Sequence, residues 1–181
     1  MTITEKFQAI LDRENITTTE ALSFFDELAT VDLDLMTGRW QGSGLHTNHP
    51  LDGLLELCNW YGKEFVDRDR VHPLLFRDRS DRIIKVNPNV IGVESALRMA
   101  PRLKNQALKP LFELLIAILA TDKSKARIRM VEHRGKISAT MIYDCLPIND
   151  VFRKIDDNTL LGLMDLKGME RPFFFVLRRA T

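Results

Sequence analysis

The sequence predicts a β-rich α+β fold, an antiparallel barrel with helices at its N-terminus and in an insertion. Three observations predict it. Residues 126 to 179 break into short, largely apolar segments separated by turn signals, which is the pattern of a strand meander. The stretch Gly38-Arg39-Trp40-Gln41-Gly42 reads as a strand in which one large ring stands between two bare positions on the same side. Two helix-start signatures precede both features.

Composition narrows the classes. A chain of 181 residues fits one domain, or one domain with a small annex, and can bury roughly 70% of its unfolded surface without staples. Its 26 basic and 25 acidic side chains nearly cancel, so no general nucleic-acid binding is expected. Cys58 and Cys145 are isolated and form no CxxC pattern, which signals neither zinc nor a redox pair and fits a reducing compartment. Glu5 and Lys6 interrupt the place where a signal peptide needs its apolar core, and no apolar run reaches the roughly 20 residues of a membrane span. The expectation is a soluble, cytoplasmic protein.

Taken in order, residues 2 to 13 carry Ile3, Phe7, Ile10 and Leu11 at helical spacing, and Thr2 with Glu5 has the form of a capping box. Thr17 with Glu20 repeats the signature ahead of a second stripe, Leu22, Phe25 and Leu28. These helices suit a lid or plug against the barrel mouth or wall, or an oligomer contact. In the strand that follows, Met36, Gly38, Trp40 and Gly42 share one side, which suits a sharply curved first strand lying over its own interior. The plainer alternative is a core tryptophan near a glycine-rich turn. Pro50, Asp52 and the apolar positions Leu51, Leu54, Leu55, Cys58 and Tyr61 predict a helix over about 50 to 61. It leads into an aromatic patch beside one lysine: Trp60, Tyr61, Lys63 and Phe65.

Val71 to Phe76 and Arg82 to Val86 are candidate strands around a charged turn, and Asn87-Pro88-Asn89 is a break. Leu108 to Ala120 is the most apolar segment and predicts a buried or groove-lying helix. Strands are then expected at 126 to 133, 136 to 144, 150 to 155, 159 to 166 and 172 to 179, with a tight hairpin at Arg134-Gly135. With the Trp40 strand this makes about eight strands, enough to close a small barrel and remove its edges.

From Gly38-Arg39-Trp40-Gln41-Gly42 through His49-Pro50-Leu51-Asp52-Gly53 to Trp60-Tyr61-Gly62-Lys63, the chain resembles the GXWXG domain. From Arg129-Met130-Val131-Glu132 to Phe173-Phe174-Phe175-Val176-Leu177-Arg178-Arg179, it resembles that domain's companion C-terminal domain of unknown function. A more distant likeness is to the calycin barrels, which include lipocalins, fatty-acid-binding proteins and haem-binding nitrobindins. That likeness implies a Gly-x-Trp first strand, here Gly38, Trp40 and Gly42, whose tryptophan meets an arginine of the last strand, Arg178 or Arg179. The chain is expected to divide into a helical annex at 1–30 and a single barrel domain at 31–181. Within the barrel domain the GXWXG part is 31–90, a helical connection 91–123 and the strand meander 124–181.

Several residue types could carry chemistry. His46 and His49 form HxxH with Asp52 beyond, but His46 falls in an extended segment and the other two at a helix start, which suits capping and loop ordering better than zinc. No metal is expected. No cofactor is expected either; haem is the alternative, with the four histidines and two cysteines as axial options and none of them singled out. Asp144, Arg153 and Asp165 sit in apolar or β-rich surroundings, where an inward aspartate would need Arg153 or Lys63 as partner. The alternative for these is a structural ion pair or rim exposure. Phe173, Phe174 and Phe175 imply a strand buried on both faces, with Leu108 to Ala120 as a candidate outer cover.

The expected function is non-enzymatic binding of a hydrophobic small molecule, a fatty acid or other lipid-like metabolite. Trp40, His49, Trp60, Lys63, Phe65, Met141, Asp144, Arg153, Asp165 and Phe174 are the candidate lining, with Lys63, His49 or Arg153 orienting a polar head. The alternatives are an enzyme using His49 with Asp52 or Asp144 with Asp165, a haem-binding barrel, and an interaction module whose leading helices mediate homodimerisation or partner binding.

Overall fold

The computed structural model describes residues 1–90, 114 and 116–180. The chain opens with α1 (Ile3–Leu11) and α2 (Thr18–Glu27). At both helix starts the threonine hydroxyl, Thr2 or Thr17, accepts from the backbone N–H of Glu5 or Glu20, and the glutamate returns to the cap N–H. Each cap satisfies donors the helix leaves open and stabilises it by about 1 kcal/mol.

Then come β1 (Ala29–Thr30), α3 (Leu33–Met36), β2 (Gly38–Leu45), α4 (Leu54–Leu57), β3 (Trp60–Phe65), β4 (Val71–Arg77) and β5 (Ile83–Lys85). The second half is β6 (Ala126–His133), β7 (Lys136–Tyr143), β8 (Ile148–Asp156), β9 (Thr159–Leu166) and β10 (Phe173–Arg179). Among the described residues every strand pairing is antiparallel. The sheet closes on itself: β2, β3, β4, β6, β7, β8, β9 and β10 follow one another, and β10 returns to β2. β1 pairs with the far end of β8, and β5 with the far end of β4, so both lie off this ring.

The ring does not draw on all the strands the sequence predicts. The helix expected over 50 to 61 is one short turn, because Gly53 adopts φ 77° before it and Asn59 φ 54° after it. Trp60–Phe65 is instead strand β3, between β2 and β4. The helical connection expected at 91–123, with its helix over 108–120, lies mostly outside the described residues. Residues 116–118 are helical, and Ala120 bridges to Val86.

Alternation along the strands sorts the apolar side chains into two clusters. Trp40, Phe65, Met141, Phe152, Phe173 and Phe175 belong to the larger one, which lines the inside of the ring. The other parity, including Val151, Leu161, Leu163, Phe174 and Val176, joins Phe7, Phe24 and Phe25 of α1 and α2 on the outer face. The helices therefore cover the wall of the ring over β8, β9 and β10, which is why those strands are apolar on both sides. Phe174 meets Phe25 on the outer face, edge-on at 6.2 Å between centroids, while most of the segment 108–120 expected as its cover lies outside the described residues. No helix among the described residues is long and apolar enough to cross a membrane.

Candidate functional site

The interior is organised around Trp40. Its indole Nε1 donates to the Met36 carbonyl at 2.8 Å, and the Arg179 guanidinium lies 4.3 Å from its ring centroid. The register pairs Arg179 with Trp40 directly, so the inward arginine of the last strand is Arg179; Arg178, of opposite parity, points outward and reaches the Ser43 hydroxyl at 3.4 Å. Arg179 also donates to the carbonyls of Leu35 and Thr37. Gly38, at φ 112°, faces Arg179. Gly42 makes room for a second ring: a Cβ there would stand 2.2 Å from Trp60.

Trp60 and Lys63 are three residues apart and in a regular strand would face opposite sides. Pairing with β4 is irregular on both sides of Gly62, whose φ is 144° and whose Cβ would fall 1.9 Å from the Trp40 carbonyl oxygen. This bulge turns both side chains inward. Across the ring, β8 presents Ile148, Asp150 and Phe152 on its inner parity. Lys63 Nζ meets Asp150 Oδ2 at 2.7 Å with side chains only 3% and 2% exposed, so the pair is desolvated. Lys63 also donates to the Pro73 carbonyl at 3.2 Å. Its ammonium stands over Phe175, Trp60 and Tyr143, at 4.9, 5.7 and 5.9 Å from the centroids.

The electrostatics follow from that enclosure. Burial pushes the Asp150 carboxyl above its usual range, against the opposing pull of Lys63. Burial, and next the Asp150 charge, push the Tyr143 phenol well above its own. Seven buried side-chain polar atoms lack a hydrogen-bond partner among the described residues, and two of them, Asp150 Oδ1 and Trp60 Nε1, belong to the residues around Lys63. Such buried groups cost free energy unless something satisfies them.

The remaining candidates divide among the interior, the ring's ends and its outside. His49 is buried against Phe173, 5.4 Å between centroids, and through Phe173 and Phe175 a row of rings runs to Trp60. Its Nδ1 accepts from the Leu51 N–H and its Nε2 lies 3.1 Å from Met169 Sδ. Asp52 Oδ2 accepts from the backbone N–H groups of Thr47 and His49, ordering the loop. Phe65 and Met141 belong to the interior cluster. Phe65 with Met36 and Ile128 also lines a cleft of about 200 Å³ beside α3.

Asp144, Arg153, Asp165 and Phe174 are not brought to the interior. Asp144 is exposed just past β7, 3.5 Å from Arg127. Arg153 is fully buried but on the outer parity, over the Phe25 ring at 4.9 Å and donating to the His133 carbonyl at 2.9 Å. Asp165 is half-buried opposite Asn149, on the same outer side as Leu163. β8 separates Asp144 from Asp165, so the pair does not form a carboxylate dyad. Among the described residues no group of three His, Cys, Asp or Glu side chains is placed to hold a metal ion.

Asp150, the partner of Lys63, is the site residue that sequence reasoning missed. A signal was present: it is the lone charge between Ile148 and Phe152 at period two. Both parities of β8 carry apolar residues, so in the sequence that signal has no direction.

Residues 23–81 match the model of a family described as GXWXG protein, and residues 124–179 match one described as a domain of unknown function, DUF4334. No protein of curated description matches the chain. A solved structure described as a crystal structure of a protein from Thermomonospora curvata is 30% identical, with a TM-score of 0.74 and 100% of each chain covered. With both segments matched in order and that likeness running end to end, the chain belongs to the GXWXG family, in the form that carries a DUF4334 domain.

Proposed function

We propose that the ring is a calycin-like barrel whose interior binds a hydrophobic small molecule, a lipid-like metabolite, without covalent chemistry. One observation carries the proposal. The Lys63–Asp150 pair is buried among aromatic rings with Asp150 Oδ1 and Trp60 Nε1 unpartnered beside it. A core that only stabilises the fold would do as well with apolar residues of the same volume. A polar anchor inside an apolar lining is what orients a small ligand. Closure of the ring, the Gly38 and Trp40 strand, and Arg179 stacked on Trp40 support the calycin-like assignment. The cleft at Phe65, Met36 and Ile128 supplies the entrance, since all three residues also belong to the interior cluster.

Native mass spectrometry of the purified full chain tests this, followed by denaturation and identification of what is released. A stoichiometric small molecule that leaves on denaturation is the expected result. A bare protein mass, together with no binding of any alkyl alcohol or carboxylate added in solution, refutes it.

A second reading is acid–base chemistry on the same ligand, favoured by the raised Asp150 carboxyl. If Asp150→Asn leaves turnover of the released ligand unchanged, that reading fails while the binding function stands.

A further inference from the structure

We infer that the polar end of the bound molecule is an uncharged hydroxyl, so that the ligand class is an apolar alcohol or phenol and not a fatty-acid anion. The inference rests on the binding function proposed above and adds to it the chemistry of the head group.

The charge inside the ring is already balanced. Lys63 is matched by Asp150 at 2.7 Å, and a second of its N–H bonds goes to the Pro73 carbonyl. Its remaining side faces the Phe175 ring at 4.9 Å. A ligand carboxylate would have to displace that ring contact and stand beside the Asp150 charge in a desolvated site, where like charges repel strongly. The other two cations placed near the core do not change this. Arg153 belongs to the outer face under Phe25, and Arg179 is held by Trp40 and by the Leu35 and Thr37 carbonyls.

Around Lys63 the described residues lack one donor and one acceptor. Asp150 Oδ1 has lone pairs with no N–H or O–H on them, and Trp60 Nε1 has a proton with no acceptor, among the described residues. Both residues flank Lys63. A hydroxyl is the smallest group that donates through its proton and accepts through its oxygen. A hydroxyl seated between the two would satisfy both atoms and add no charge. An amine would satisfy Asp150 but leave the indole N–H without an acceptor, and it would bring a second cation to Lys63. The surrounding rings suit an apolar body attached to that hydroxyl.

The test uses the full chain and matched pairs of probes, from hexanol and hexanoate to hexadecanol and hexadecanoate. Affinity is measured by calorimetry at neutral pH. The expected result is that within at least one pair the alcohol binds ten-fold or more tightly than the carboxylate. Trp60→Phe, which removes only the indole donor, should weaken the alcohol about ten-fold. Asp150→Asn leaves Lys63 without its counter-charge and should shift the preference toward the carboxylate by ten-fold or more. Carboxylates that bind as well as or better than their alcohols overturn the hydroxyl assignment and leave the binding function standing. An unchanged alcohol affinity in Trp60→Phe also overturns it, and does so even if Asp150→Asn fails to fold. Absence of binding by every probe overturns the binding function itself.

Discussion

Replacing Lys63 and Asp150 singly and together separates what their pair does for the fold from what it does for a ligand. At 2.7 Å the gross Coulomb attraction is about 6 kcal/mol for an effective dielectric constant of 20, and the desolvation of both groups offsets much of it. Lys63→Met strands a buried carboxylate and Asp150→Leu a buried ammonium, each at a cost of about 3–5 kcal/mol. With a urea slope of about 2 kcal/mol/M, either single substitution should lower the unfolding midpoint by about 2 M. The double variant should return to within about 1 M of the parent, or exceed it, because an apolar pair of similar volume packs where the ions stood. Urea titration followed by far-UV circular dichroism reads all four proteins. A double variant as destabilised as the two singles summed would refute the coupling. A stable double variant that no longer binds alcohol probes would show that the pair is kept for the ligand and not for the ring.

Other outcomes follow from other parts of the molecule. Arg179→Met should cost about 2 kcal/mol through its lost cation–π contact with Trp40, whereas Arg178→Met should stay within about 0.5 kcal/mol; chemical denaturation distinguishes them, and equal costs would contradict the inward assignment of Arg179. Burial pushes the Cys58 thiol up to about 12 while Cys145 is exposed. Ellman's reagent at pH 8 should therefore titrate one thiol in the native protein and two in urea, and rapid modification of both would contradict the structure. Burial is the largest influence on Glu64 and opposes its ionisation, yet the hydrogen bonds and charges of Lys85 and Arg39 hold its carboxyl below the ordinary 4.5. Its contribution is thus fully present above the unfolded value and lost as pH falls below about 4.5 through the lower folded value. Melting temperatures between pH 3 and 6 should fall less steeply in Glu64→Gln, and identical slopes would remove Glu64 from the acid transition.

How far the sequence could be read depended on whether each signal was local. The capping boxes at Thr2 and Thr17 and the meander from Ala126 to Arg179 depend on neighbours in the chain, and they stand where the pattern places them. β3 was hidden because Leu51, Leu54, Leu55 and Cys58 fall at helical spacing, and nothing local says that Gly53 and Asn59 both leave right-handed geometry. The faces of β8 to β10 were illegible for a different reason. Helices α1 and α2 lie over them, so both parities are apolar, and the period-two contrast that would have separated Arg179 from Arg178 or Phe175 from Phe174 is absent. Lys63 was singled out for its aromatic surroundings. That it shares a side with Trp60 depends on the Gly62 bulge, which is a tertiary event.

The two matched segments divide the ring as two halves of a clasp. The first, 23–81, brings β2, β3 and β4, and the second, 124–179, brings β6 to β10. Either half alone would leave two open sheet edges and an uncovered apolar concavity. Their seams are unequal. β2 and β10 are joined over six residue pairs from Leu45 with Phe174 to Trp40 with Arg179, and β4 and β6 over one, Val71 with Ala126. Lys63 comes from one half and Asp150 from the other, so whatever separates the halves also separates the charges. Two fragments cut between residues 86 and 120 should recombine along the long seam, and the ion pair would then report whether the short one has closed.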